Sequence, residues 1–420
     1  MNAAGCMKAL CLAGRIILEN GGETYRAEDT VRRMARALGL EEADAFAIPS
    51  GLFISFTDET GERKTSLNRV YLRGTHLARV DRVNRLSRML TDGLLDPEEL
   101  YDALIEASRI GRHRPRWVNP LAAFVSAAGF SVMFGGGGID ILIGGLCAAL
   151  TQLIPHMLPK NDASTGMTAT LLGGVVCGLI PLAFHSLTGL GSTEAMIASA
   201  VMPLVPGLSM TNAVQDILRG DMVSGVAHCA RAVMVAAMLA GGALVGSYAS
   251  GLFGLSAQSA AAAATLPFFM KALLMAIASL LAGGGFGVLQ SAPKKAVVCG
   301  GMLGVVGYMA YWLLMQQGAA ETPAMFAGML LAALGAQAAS RRLKMIATVF
   351  VTISMMPMVP GLGLYRAMSA LAQGDLAQGG GIAAHTMMLI LMIALGIGLA
   401  SSLAGMYRQA LSRRKGRKVL

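Results

Sequence analysis

Apolar runs of bilayer length recur along most of the chain, separated by short polar or glycine-rich breaks. A membrane core calls for about 20 apolar residues per helix. Ten such runs occur, at roughly 118–134, 138–158, 166–187, 193–218, 224–249, 264–287, 295–316, 322–340, 345–371 and 379–407. The fourth and ninth are long and carry prolines midway. The pattern before residue 117 is different: Arg, Glu and Asp are frequent, and apolar positions recur at helical or alternating intervals. Residues 6–20 and 24–38 read as amphipathic helices, 44–57 and 64–72 as strands around the turn Asp58-Glu59-Thr60-Gly61, and 76–91 and 97–110 as helices. Asp96-Pro97-Glu98-Glu99 is a helix start, an Asx cap followed by proline and two acids.

Basic residues test this division, because Lys and Arg collect on the cytoplasmic side of a membrane. The even-numbered loops carry Lys160, Arg219, Lys294 with Lys295, and Arg341, Arg342 with Lys344; the odd-numbered loops carry none. An even span count also puts the tail Arg413-Arg414-Lys415-Gly416-Arg417-Lys418 on the same side as Arg109, Arg112, Arg114 and Arg116. Both termini are therefore expected in the cytoplasm. No signal peptide is expected at the N-terminus, since Arg15 and Glu19 interrupt any apolar stretch.

The two proline-broken runs align without a gap. Pro203/Pro357, Val205/Val359, Pro206/Pro360, Gly207/Gly361, Leu208/Leu362, Ala213/Ala367, Gly220/Gly374 and Asp221/Asp375 are each 154 residues apart. Five spans separate the copies, and because five is odd the second copy enters the membrane from the opposite side. The expected fold is a polytopic α-helical membrane protein: ten transmembrane helices as a 5+5 inverted repeat, preceded by a small cytoplasmic α+β domain. Its parts are residues 1–116, the first five-helix repeat at 117–260 and the second at 261–420. Inverted repeats with broken helices are a common construction of secondary transporters.

Proline removes a backbone donor and glycine relaxes the chain, so each Val-Pro-Gly-Leu should open its helix and line a packed or wet cavity. Half-helices beginning at Pro206-Gly207 and Pro360-Gly361 could meet a carboxylate through free N–H groups. Ser209, Thr211, Asn212 and Asp216 follow the first break, and Asn212 and Asp216 share a helix face. Tyr365 and Arg366 follow the second; Arg366 is costly at that depth and should face a cavity or an acid. These residues form the candidate substrate site, suited to an amino acid or other small carboxylate. Lys271, Arg231, His228 and His385, and the acids Asp140, Asp162 and Glu194, read more simply as interfacial or interhelical bonding groups.

Composition agrees with a membrane protein and narrows the alternatives. The 420 residues are 55% hydrophobic and only 14% charged, more apolar than one water-soluble core needs. The net charge of +10 sits largely at membrane edges and in the tail, so nucleic acid is not an expected partner. Cys147, Cys177, Cys229 and Cys299 lie in apolar runs without metal or disulfide spacing, and neither a metal nor a cofactor is expected. No HExxH, GxSxG or Walker motif occurs, so no enzyme activity is expected; the lesser alternative is a membrane-anchored enzyme or sensor acting through the N-terminal domain, whose polar residues include Glu19, Glu23, Arg26, Glu28, Asp29, Ser50 and Asn84.

Several stretches together resemble the threonine/serine exporter family (ThrE): Leu18 to Asp29 (LENGGETYRAED), Pro49-Ser50-Gly51, Asn68-Arg69-Val70, Val83 to Ser87 (VNRLS), Phe134 to Gly137, and Val205 to Asp216 with Gly220-Asp221. The resemblance covers essentially the whole chain. It implies export of threonine, serine or similar amino acids from the bacterial cytoplasm across the inner membrane, driven by the proton motive force, with the N-terminal domain inside. Related proteins split into two chains imply a dicarboxylate such as succinate as the alternative substrate. The expected partners are a small carboxylate or amino acid, protons and lipid. Assembly as a homo-oligomer is compatible with this architecture.

Overall fold

A computed structural model describes residues 2–58, 60–71, 74–111, 114–159, 165–252 and 267–416. Glu59, Arg112, Lys160, Asp162 and the end of the basic tail, Arg417 and Lys418, lie outside the described residues.

The N-terminal part begins with α1 (Ala3–Glu19) and α2 (Thr24–Ala37). The Asn2 side chain caps α1 by accepting the Gly5 N–H at 2.9 Å. A three-stranded antiparallel sheet follows, β1 (Glu41–Ile48), β2 (Gly51–Thr57) and β3 (Arg63–Arg69), in the order β1-β2-β3. α3 (Leu77–Thr91) and α4 (Leu100–Arg109) close the unit. Leu52, Ile54 and Phe56 alternate along the central strand and are buried with Leu10 and Ile17 of α1. The opposite sheet face carries an exposed row, Phe46 across from Phe53 and Phe53 across from Leu67.

The single strand expected over 44–57 is instead parts of two strands. Ile48 pairs with Gly51 across Pro49-Ser50, because a proline has no N–H to give a central strand and turns the chain instead. The second hairpin closes as expected around Asp58, whose carboxylate accepts the N–H groups of Thr60 (2.9 Å) and Glu62 (3.0 Å).

The rest is helical: α5 (Val118–Met133), α6 (Gly138–Thr151), the short α7 (Ile154–Met157), α8 (Thr165–Thr188), α9 (Thr193–Val201), α10 (Gly207–Leu218), α11 (Met222–Leu252), α12 (Phe268–Leu289), α13 (Lys294–Gln316), α14 (Glu321–Leu343), α15 (Ala347–Met355), α16 (Gly361–Ala372) and α17 (Leu376–Gly416). Among the described residues, seven helices are long and apolar enough to cross a membrane, and nine spans result if the bent pairs α9/α10 and α15/α16 each count as one. This is a polytopic helical membrane protein. The first expected span, α5, is apolar but has only 16 residues. It stops at Phe134, where Gly135 turns at φ +81° and the Gly136 N–H returns to the Ser131 carbonyl at 2.8 Å.

Small residues let these helices approach closely. A Cβ at Gly178 would fall 2.2 Å from the Ala243 carbonyl oxygen, and one at Gly242 would fall 2.1 Å from that of Leu171, so α8 and α11 touch backbone to backbone. Ser126 of α5 donates to the Ala282 carbonyl of α12 at 3.0 Å.

The N-terminal unit docks on one end of the helices. The Leu77 and Ala78 N–H groups donate to the carbonyls of Gln290 (3.0 Å) and Ser291 (3.1 Å) between α12 and α13. Arg114 donates to the Ser291 hydroxyl (2.8 Å) and the Val288 carbonyl (2.9 Å), and Asp81 accepts the Ile346 N–H (3.3 Å) before α15.

Candidate functional site

Two helices open at matching positions. α9 passes into a 3₁₀ turn at Met202–Leu204, Val205 is extended (φ −64°, ψ 133°), and α10 restarts at Gly207. α15 likewise passes into Met356–Met358, Val359 is extended (φ −64°, ψ 123°), and α16 restarts at Gly361. The axes bend by 53° and 56°. Pro206 and Pro360 lack the N–H that would continue the ladder, which is why each restart falls where it does.

The breaks lie against each other. A Cβ on Gly207 would come 2.0 Å from Val359 Cγ1, and one on Gly361 would come 2.9 Å from Val205 Cγ1. Each valine therefore occupies the space left by the other copy's glycine. Pro206, Gly207, Pro360 and Gly361 are brought together in this crossing. Buried Thr211 donates to the Gly207 carbonyl at 3.0 Å, satisfying an acceptor of the opened turn. Tyr365 packs on the apolar cluster of Cys177, Val205, Met210 and Leu364.

Ser209, Asn212 and Asp216 follow on one face of α10 and line a cavity of about 100 Å³ under the N-terminal unit. Glu23 and Thr24 border it from that unit, and His228 and Arg231 border it from α11. Such space is large enough for several waters. Asp216 is 2% exposed, and no side chain among the described residues bonds its carboxylate. Arg231 is likewise without a carboxylate partner among the described residues.

A second cavity of about 50 Å³ shares Glu23 and Asn212 with the first and continues to Gln215, Thr348 and Ser401. At this boundary the Thr348 hydroxyl donates to Glu23 at 2.7 Å and accepts from Arg26 at 2.6 Å. Arg26 also pairs with Glu23 at 2.8 Å, and Arg219 at the end of α10 lies 4.0 Å over the Tyr25 ring. Burial alone would raise the Glu23 carboxyl, but the Arg26 charge and the hydrogen bonds from Arg26 and Thr348 outweigh it and hold it below the usual carboxylate range.

Arg366 stands apart from this group. It forms an ion pair with Glu194 at the start of α9, with both side chains substantially exposed (49% and 71%). The structure thus gives Arg366 the acidic partner expected of it, and does not bring it to Asn212 and Asp216. That Glu23 and Arg26 meet Thr348 has no local signal in the sequence, because the contact forms only through docking across more than 300 residues. All six cysteines are free, and no cluster of three metal-ligating side chains occurs among the described residues.

Comparison with known proteins adds to this geometry. The ThrE family model of threonine/serine exporters matches residues 8–249, and a second threonine/serine exporter model, ThrE_2, matches residues 275–403. The chain is similar to the threonine/serine exporter of Corynebacterium glutamicum, 25% identical over 415 residues, covering 96% of this chain and 81% of that one. It is 23% identical over 371 residues to a probable threonine/serine exporter of Mycobacterium tuberculosis, covering 87% and 70%. It is also 27% identical over 234 residues to the probable succinate transporter subunit YjjP of Escherichia coli, covering 54% and 88%. No solved structure matches it.

Proposed function

Because the chain belongs to the threonine/serine exporter family, whose model spans residues 8–249, we propose that it exports threonine and serine through the cavity beside α10. The observation that carries this reading is Asp216, a buried carboxylate with no side-chain partner among the described residues, in a cavity that Arg231 also lines. A buried charge without a counterion is costly. The ammonium of an α-amino acid offsets that cost, its carboxylate suits Arg231, and a hydroxyl on its side chain suits Ser209 or Asn212. Succinate, the substrate named for the E. coli relative, would set carboxylates beside Asp216, where like charges repel.

The proposed architecture is two inverted five-helix repeats, 117–260 and 261–420, behind a cytoplasmic module of residues 1–116 in the inner membrane. Support comes from α9, α10 and α11 beginning 154 residues before α15, α16 and α17 respectively. It also comes from the module docking beside the loops that carry Arg219, Lys294 and Lys344. A chain without a nucleotide motif needs an ion gradient to export uphill, and protons are the ion proposed. In this reading the protein is a transporter, and the crossing of the two breaks is the place where access changes sides.

Inverted membrane vesicles loaded with the protein test the proposal. Labelled threonine and serine should accumulate when a proton gradient is imposed, and succinate should not. Asp216→Asn should lower threonine accumulation by roughly 10- to 100-fold, the loss of one charged hydrogen bond. Accumulation of succinate alone, or of none of the three, sinks the assignment.

A further inference from the structure

We propose that Glu23 and Arg26 of the N-terminal module form the gate at one end of the transport path, as the counterpart of the Glu194–Arg366 pair at the other end. The inference rests on the transport reading above and on the 154-residue equivalence of the two broken helices.

Glu194 and Arg366 tie the start of α9 to α16, joining one copy of the repeat to the other. The equivalent of Glu194 in the second copy is Thr348, and the equivalent of Arg366 in the first copy is Asn212, both by the same 154-residue offset. The membrane part therefore supplies a charged tie at one end and two uncharged residues at the matching place on the other. The module fills that place. Glu23 accepts from Thr348 at 2.7 Å, Arg26 donates to Thr348 at 2.6 Å, and Glu23 and Arg26 pair at 2.8 Å. Glu23 and Asn212 border both cavities, so the pair stands at the partition between the space beside Asp216 and the space leading to Ser401.

The two ends differ in strength. Arg26 and Glu23 are 17% and 9% exposed, against 49% and 71% for Arg366 and Glu194. Exposed pairs contribute little, whereas removing one member of a buried pair leaves an uncompensated charge. The module's pair is thus the firmer closure, and the end it closes borders the proposed substrate cavity. Tyr25, held beneath Arg219, adds a stacked contact from the same turn of α2 to the end of α10. Opening must part Glu23 and Arg26 from Thr348, which makes the module a moving part of the transporter rather than a passive attachment.

The test uses the full chain in inside-out vesicles with Asn212→Cys as a reporter. A membrane-impermeant maleimide is the probe, and labelling at position 212 is read by peptide mass spectrometry so that native cysteines do not interfere. Adding Glu23→Gln should speed labelling by at least about tenfold, and adding Glu194→Gln should leave it unchanged. Asp81→Asn removes a different docking contact, to the Ile346 N–H, and should also leave the rate near that of the reporter alone. Equal rates in every background overturn the gate. Equal acceleration by Asp81→Asn or Glu194→Gln also overturns it, since the effect would then be general loosening. The readout needs no substrate, so a failure of the gate and a failure to move threonine are read separately.

Discussion

Asp216 is a carboxylate that the fold encloses without a side-chain hydrogen bond or ion pair among the described residues. In the proposed site that cost is held in reserve for a ligand, so stability and function pull in opposite directions there. Asp216→Asn should raise the melting temperature of the detergent-purified, substrate-free protein, by the equivalent of about 0.5–2 kcal/mol, while abolishing threonine protection in the same assay. A variant that melts lower and still responds to threonine would remove Asp216 from the site. His76, at the joint between module and helices, makes a pH-dependent case. Burial first, then the charges of Arg79 and Arg114, push its pKa down to about 4 from an ordinary 6.5. The folded imidazole stays neutral while the unfolded one titrates. The His76 contribution is therefore complete above pH 6.5 and is lost as pH falls from 6.5 to about 4, by roughly 2 kcal/mol once partial exposure is allowed for. Hydrogen exchange in α3 should rise across that interval, and His76→Gln should flatten the slope.

The broken pairs are the elements on which the proposed mechanism turns. Their interruption is legible in the sequence because proline acts locally. Their mutual seating is not, because it depends on Val205 and Val359 crossing into glycine positions 156 and 152 residues away. Gly207→Ala should slow transport and destabilise the protein, and Val359→Ala should restore part of the loss, with a coupling energy of about 1 kcal/mol. Strictly additive effects in a double-mutant cycle would show that the breaks do not touch. The first hairpin teaches the same lesson at smaller scale. Alternating apolar positions over 44–57 look like one strand, and a single proline decides that they are two.

For the whole molecule, the proposed inverted topology makes a geometric prediction. A thiol introduced as Lys344→Cys should react with an impermeant reagent from the cytoplasmic face, and one introduced as Gln317→Cys only from the opposite face. Reaction from the same face would reject the inversion. Legible in the sequence alone were a charged N-terminal stretch ahead of a series of apolar helices, the two openings, the face shared by Asn212 and Asp216, and the family resemblance that the comparisons bear out. They are legible because apolar periodicity, proline and glycine act on their own few neighbours. That Arg366 meets Glu194 while Glu23 and Arg26 reach Thr348 follows from the packed chain alone. A fixed offset names equivalent residues, but which side chains face one another depends on how helices and module pack, and that is a property of the whole chain.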